Sequence, residues 1–148
     1  MDYILDTNVL LTYIRKTKYS DQIDETFAPL SIENTSIISV VSVGEIKSLA
    51  LQNKWGKKKL KTLEVLLSKF IVADINVDEI IDKYAEIDAF SQGKLKGKPT
   101  KFTSRNMGKN DLWIAATASV LKTKLLTTDK DFDHLDKSFI DLGLIKLV

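Results

Sequence analysis

The stretch Tyr3-Ile4-Leu5-Asp6-Thr7-Asn8-Val9-Leu10 sets three apolar residues before an acid and then begins a new spacing, Val9 and Leu10 continuing to Tyr13 and Ile14. A short apolar run that passes through a polar residue into 3.6-residue periodicity reads as a buried strand feeding a helix. Further short apolar runs lie at Ile37-Ile38-Ser39-Val40-Val41, Ile71-Val72-Ala73, Leu125-Leu126-Thr127 and Leu144-Ile145-Lys146-Leu147. They suit strands covered on both faces, as in a parallel sheet, better than half-exposed antiparallel strands. Between them Leu60, Leu63, Leu66, Leu67 and Phe70 make one helical stripe, and Ile80, Ile81, Tyr84, Ile87 and Phe90 another. Ile114, Ala115, Ala118 and Leu121 make a third. Strand and helix in alternation predict an α/β domain with right-handed crossovers.

One segment has no such order. Residues 91–109 hold Gly93, Gly97, Pro99 and Gly108, breakers too closely spaced for a helix. They also hold Lys94, Lys96, Lys98, Lys101, Arg105 and Lys109 without a single acid, which makes this a basic loop within the domain. At 148 residues the chain has the length of one domain, 1–148, and 44% hydrophobic and 28% charged residues are ordinary for a globular protein. A net charge of +2 excludes a strongly basic coat protein and an acidic disordered tail. The absence of cysteine removes disulfides, thiolate zinc sites and thiol nucleophiles, and one histidine is too few for His-rich zinc sites. The start lacks the basic and apolar regions of a signal peptide, and no run approaches the ~18 apolar residues of a membrane span, so a cytoplasmic, non-membrane protein is expected.

Carboxylates and lysines remain for chemistry. In an open parallel sheet ligands bind beyond the carboxyl ends of the strands, and four acids fall there. Asp6 ends the first strand, Glu45 lies at the start of the helix after the second, Asp111 opens a helix in Gly108-Lys109-Asn110-Asp111, and Asp129 follows the strand ending at Thr127. Each also has a local explanation. Ser42 and Glu45 match the Ser-x-x-Glu capping box, Asp6 suits a helix cap, Asp111 suits a helix dipole, and Asp129 with Asp131 suits a turn. Convergence of all four would be costly, since two unit charges about 4 Å apart repel by roughly 4 kcal/mol at an effective dielectric of ~20. Such a cluster takes up protons or a divalent cation. All-oxygen ligation selects Mg²⁺ or Mn²⁺. That ion suits activation of water against a phosphodiester, with lysines to hold the polyanion.

At these residues the sequence resembles the PIN-domain ribonucleases, particularly the stand-alone VapC-type toxins of bacterial toxin–antitoxin pairs. The matching motifs are Ile4-Leu5-Asp6-Thr7-Asn8-Val9-Leu10 and Ser39-Val40-Val41-Ser42-Val43-Gly44-Glu45-Ile46. The most specific is Gly108-Lys109-Asn110-Asp111-Leu112-Trp113-Ile114-Ala115-Ala116-Thr117-Ala118, followed by Leu125-Leu126-Thr127-Thr128-Asp129-Lys130-Asp131-Phe132. The resemblance spans essentially the whole chain. It implies a PIN-like three-layer α/β fold with a parallel sheet of order 3-2-1-4-5 flanked by helices. The family's core acids fall on Asp6, Glu45 and Asp111, and its variable fourth acid on Asp129 or, second, Asp131. Asn8 and Thr128 match positions that hydrogen-bond the acids or a bound water. The resemblance further implies Mg²⁺- or Mn²⁺-dependent endonucleolytic cleavage of RNA (tRNA, ribosomal RNA or mRNA), a homodimer, and a cognate antitoxin that occupies the acidic groove.

Other polar and aromatic features admit simpler readings. Lys57-Lys58-Lys59 suits a solvated face. Trp55 suits a helix-start anchor more than a base-stacking platform, Trp113 suits packing against a neighbouring helix or a dimer partner, and the lone His134 does not read as catalytic. The basic loop leads directly into Asp111, which favours contact between RNA and Lys94, Lys96, Lys98, Lys101, Arg105 and Lys109. A phosphoaspartyl phosphatase wants an acid where Asn8 stands, and a receiver domain wants adjacent acids after its first strand, so both fail. The remaining rival is a non-catalytic RNA- or partner-binding module, for which a complete set of four acids is unnecessary.

Overall fold

A computed structural model of the chain describes residues 1–16 and 18–146. Strands β1 (Asp2–Leu5), β2 (Thr35–Ser39), β3 (Ile71–Ala73), β4 (Lys124–Thr127) and β5 (Asp141–Leu144) form one sheet of order β3-β2-β1-β4-β5. Every neighbouring pair is parallel. This is the expected α/β architecture and strand order.

Two cores follow from the twofold alternation of strand side chains. Tyr3, Leu5, Ile38 and Leu126 pack to one side of the sheet, with Val9, Leu10 and Ile14 of α1 (Thr7–Arg15) and Ile23 of α2 (Lys18–Thr26). Ile46 of α3 (Val40–Gln52) and Leu63 and Leu66 of α4 (Lys57–Leu67) complete that core. Ile4, Ile37 and Leu125 pack to the other side, against α5 (Asp78–Ser91), α6 (Lys109–Leu121) and a 3₁₀ helix at Lys130–Leu135. Burial of each such side chain contributes about 1.5–3 kcal/mol. Ala115, Ala116 and Ala118 are buried, and their small side chains let α6 lie close to the sheet and to α5, where the rings of Tyr84 and Trp113 meet at a tilt of 39° with centroids 4.2 Å apart. Gly143 permits a similar closeness in β5, since a Cβ there would stand 2.6 Å from Leu126 Cδ2.

Some boundaries differ from the sequence reading. The second strand ends at Ser39 rather than Val41, because the Ser39 hydroxyl accepts the Val41 N–H at 3.1 Å and caps α3. Tertiary context overrides the β-propensity of Val40 and Val41, which become the first helical residues. The last strand is Asp141–Leu144 and not 144–147, and Leu147 lies outside the described residues. Phe70 follows the end of α4 yet joins its core. Helix α2 has no counterpart among the apolar stripes of the sequence, since Ile23 is its only buried residue.

β1 lies between β2 and β4, so the chain leaves it to one side and returns on the other. The crevice beyond the carboxyl ends of these strands is where such a sheet offers a ligand site.

Candidate active site

Asp6 stands at the end of β1 with extended backbone and caps α1, its Oδ1 accepting the Thr7 N–H at 2.8 Å. Its Oδ2 accepts the hydroxyl of Thr127, the last residue of β4, at 2.7 Å. Both carboxylate oxygens are thereby held, and the residue is only 5% exposed. The same Thr127 hydroxyl accepts the Asp129 N–H at 3.0 Å, and Asp129 Oδ1 accepts the Asp131 N–H at 2.8 Å as it caps the 3₁₀ helix. A single buried hydroxyl therefore links the acid of β1 to the turn that presents the acids after β4.

Glu45 is reached from the other side of β1. Thr7 Oγ1 donates to Glu45 Oε1 at 2.8 Å and lies 2.9 Å from the fully buried Ser42 Oγ. Because Thr7 has one hydroxyl proton and gives it to the carboxylate, Ser42 donates to Thr7. The capping-box reading of Ser42 and Glu45 is thus corrected. Ser39 is the cap, both residues sit one turn further on, and they face Thr7 instead.

Asp111 enters from the first turn of α6. Carboxylate oxygens of Asp111, Asp129 and Asp131 lie within 4.8 Å of one another. Asp6 and Glu45 stand close enough to act on Asp111 by charge. Burial, and then the negative charges of Asp6, Asp129, Glu45 and Asp131, push the Asp111 carboxyl up to about 7. Burial also raises the Asp6 carboxyl, opposed by the Thr127 and Thr7 hydrogen bonds and reinforced by the charges of Glu45 and Asp129. All four predicted acids and Asp131 are therefore brought into one electrostatic neighbourhood, and Asp129 and Asp131 both belong to its tightest part.

The supporting residues are placed less as expected. Asn8 Oδ1 accepts the Thr128 N–H at 3.5 Å, a long contact that ties the two loops together. Of the two adjacent threonines, Thr127 and not Thr128 turns its hydroxyl to an acid. Thr127 and Thr7 were missed as site residues, although each neighbours a predicted acid-site residue in sequence. Their hydroxyls fix carboxylate orientation, a role that spacing alone does not announce.

The basic loop divides. Arg105 is engaged by Asp133, with Nη1 to Oδ1 at 2.6 Å, and Lys98 Nζ rests 4.3 Å from the centroid of the Phe139 ring. The side chains of Lys94, Lys96, Lys101 and Lys109 are exposed and make no hydrogen bond or ion pair among the described residues. Trp55 packs on the first core beneath Lys59, 4.2 Å from its ring centroid, in keeping with an anchor ahead of α4.

An oxygen-only donor set, a cluster of carboxylates within 4.8 Å and an acid pushed up to about 7 fit a hard divalent cation. The site combines this with a PIN fold. The PIN domain family profile matches residues 3–138, and the chain belongs to that family. Its structure is similar to VapBC2 from Rickettsia felis bound to a DNA fragment from its promoter, at 22% identity, 97% of this chain, 98% of that chain and TM-score 0.77. It is also similar to VapBC-1 from nontypeable Haemophilus influenzae, at 23% identity, 97% and 98% coverage and TM-score 0.72. VapBC-5 from Mycobacterium tuberculosis, of the VapBC family of toxin–antitoxin systems, matches at 23% identity, 99% and 98% coverage and TM-score 0.62. At these identities the likeness is one of fold. Among curated proteins none matches the sequence.

Proposed function

We propose that this chain is a metal-dependent endoribonuclease, the single-domain toxin of a two-protein toxin–antitoxin module. The observation that carries the reading is the convergence of Asp6, Glu45, Asp111, Asp129 and Asp131 from distant segments, with Asp111 pushed up to about 7 by burial and by the other acids. Membership of the PIN family, whose domains are typically nucleases, and the fold shared with VapBC complexes support it.

Asp111, Asp129 and Asp131 would hold Mg²⁺ or Mn²⁺, with Asp6 and Glu45 as ligands directly or through water. When bound, the cation supplies a Lewis acid for a phosphodiester oxygen and a water of lowered pKa. The chain's own groups do the rest. Thr127 and Thr7 fix the Asp6 and Glu45 carboxylates by hydrogen bonds to the ionised form, the kind of outer support that tunes a metal site. Asn8 and Thr128 tie the first and last loops of the site. A carboxylate left with a free oxygen orients and deprotonates the attacking water. Lys94, Lys96, Lys101 and Lys109 hold the RNA backbone by its phosphates.

The antitoxin, in this reading, occupies the acidic crevice. A homodimer in the cytoplasm completes the proposal; no helix among the described residues is long and apolar enough to cross a membrane.

The test is incubation of total RNA with the wild-type chain and with Asp111→Asn, in Mn²⁺, in Mg²⁺ and in chelator. Cleavage by the wild type in either ion, lost in chelator and in the variant, is expected. RNA binding without cleavage in any ion would return the chain to a non-catalytic module.

A further inference from the structure

A second polar cluster joins the basic loop to the 3₁₀ helix. The Arg105 N–H donates to the Ser91 carbonyl at 2.7 Å, Ser91 Oγ lies 2.8 Å from His134 Nε2, and Arg105 Nη1 lies 3.2 Å from His134 Nδ1. A guanidinium has no acceptor, so Nδ1 accepts and the imidazole proton sits on Nε2, donated to Ser91. The Ser91 hydroxyl then donates to Met107 Sδ at 3.4 Å. Ser91 is fully buried, and the edge of Phe102 packs on the His134 ring with centroids 5.2 Å apart. The three residues close a ring of hydrogen bonds among the end of α5, the loop and the 3₁₀ helix.

The ring's position gives it a consequence. Met107 lies two residues before α6, whose first turn carries Asp111, and His134 lies three residues after Asp131. The ring, with its bond to Met107, therefore ties the segment leading into α6 to the 3₁₀ helix, and these are the two places from which carboxylates approach within 4.8 Å. We infer that Arg105, His134 and Ser91 are positioning residues that hold the Asp111 and Asp129–Asp131 carboxylates at cation-binding distance. The inference rests on the metal-dependent reading of the site.

Sign separates this role from ordinary electrostatics. Arg105 is a cation near an acidic cluster, so by Coulomb's law alone its removal strengthens the binding of another cation. A positioning role predicts the reverse. Mn²⁺ is titrated into the wild-type chain, Arg105→Gln, Arg105→Lys and Ser91→Ala, followed by calorimetry and by the spin-resonance signal of free Mn²⁺. Arg105→Gln is expected to bind Mn²⁺ about tenfold more weakly, the scale of outer support in metal sites. Arg105→Lys, which keeps a donor toward His134 Nδ1, restores most of the affinity. Ser91→Ala changes no charge and weakens binding in the same direction, which serves as the test if Arg105→Gln does not fold. Wild-type affinity in both Arg105→Gln and Ser91→Ala, or tighter binding in Arg105→Gln, overturns the ring's role alone. A wild-type chain that takes up no Mn²⁺ overturns the metal reading and the ring's role with it.

Discussion

The acidic crevice and the basic loop adjoin in sequence at Asp111, yet they are built in opposite ways. In the crevice, both oxygens of Asp6 and one each of Glu45 and Asp129 already have donors. In the loop, Lys94, Lys96, Lys101 and Lys109 extend into solvent without partners among the described residues, and only Lys98 and Arg105 are engaged. Preorganised carboxylates suit a small ion with strict geometry. Unpartnered lysines suit a flexible polyanion, where affinity depends on the number of phosphates neutralised more than on where each cation sits. The two regions should therefore respond differently to substitution. One acid should matter greatly, and one lysine little.

The largest effect is expected from the acids. Asp6→Asn or Asp111→Asn should reduce Mn²⁺-dependent RNA cleavage by about 100-fold or more, because each removes a carboxylate that would hold the cation on which transition-state charge is balanced. Asp111→Asn should nevertheless unfold at or above the wild-type temperature without metal, since a repelled charge is gone. Asp6→Asn also turns an amide toward the Thr7 N–H or the Thr127 hydroxyl, and so gains less. Cleavage assays alongside thermal unfolding check this. A variant that is inactive only because it is unfolded would undo the contrast.

Next comes pH. In the unfolded chain an aspartate titrates near 3.9, whereas Asp111 in the fold is pushed up to about 7. Between about pH 4 and pH 7 the folded state thus holds a proton that the unfolded state has lost, and stability falls as pH rises through that window. Asp6, also raised, adds the same sign. Thermal unfolding of the metal-free chain at several pH values should show a falling contribution that is reduced in Asp111→Asn. Mn²⁺ at a hundred times its dissociation constant should add about 2.7 kcal/mol at neutral pH, and less near pH 5, where protons compete. Identical pH slopes in the two proteins would show that Asp111 is not the group being titrated.

Thr127→Val probes the preorganisation itself. It removes the donor to Asp6 Oδ2 and the acceptor for the Asp129 N–H at nearly constant volume. Leaving a buried carboxylate oxygen without a donor should cost about 1–3 kcal/mol. The cost should be larger at the higher of two pH values, since the Asp6 carboxyl, raised by burial, loses its proton as pH rises. Denaturant unfolding at the two pH values measures it, and an equal loss at both would place the effect in packing rather than in Asp6.

Much of this contrast was legible in the sequence, and its gaps have physical causes. The placement of Asp6, Glu45, Asp111 and Asp129 on one side of the sheet was readable because each falls after a strand or early in a helix, and the ligand side of such a sheet follows from topology. The hydroxyls were not. Thr127 and Thr128 are adjacent and identical in kind, and only the pleat of β4 decides which one turns toward Asp6. Ser42 and Glu45 satisfied a local capping pattern that Ser39 in fact supplies, because a helix start depends on where the strand ends and Val40 and Val41 concealed that point. Arg105 and Lys98 looked like the other loop cations, since composition carries no record of Asp133 or Phe139 across the fold.

The smallest effect is also the sharpest test of the comparison. Lys94, Lys98 and Arg105 count equally in sequence, but the structure separates free cations from engaged ones. Neutralising Lys94, Lys96 and Lys101 together, as glutamines, should weaken RNA binding and lower the slope of log affinity against log salt by about 2, at ~0.7 per phosphate contact on a single strand. Neutralising Lys98 alone should leave that slope nearly unchanged, because its ammonium is held over Phe139. The measurement is binding of an uncut RNA by Asp111→Asn carrying each set of changes, across a salt series. An unchanged slope in the triple variant would make the loop a merely solvated surface. An equal drop for Lys98 alone would mean that the cation–π contact yields to phosphate, and that geometry in this loop does not decide which cations bind.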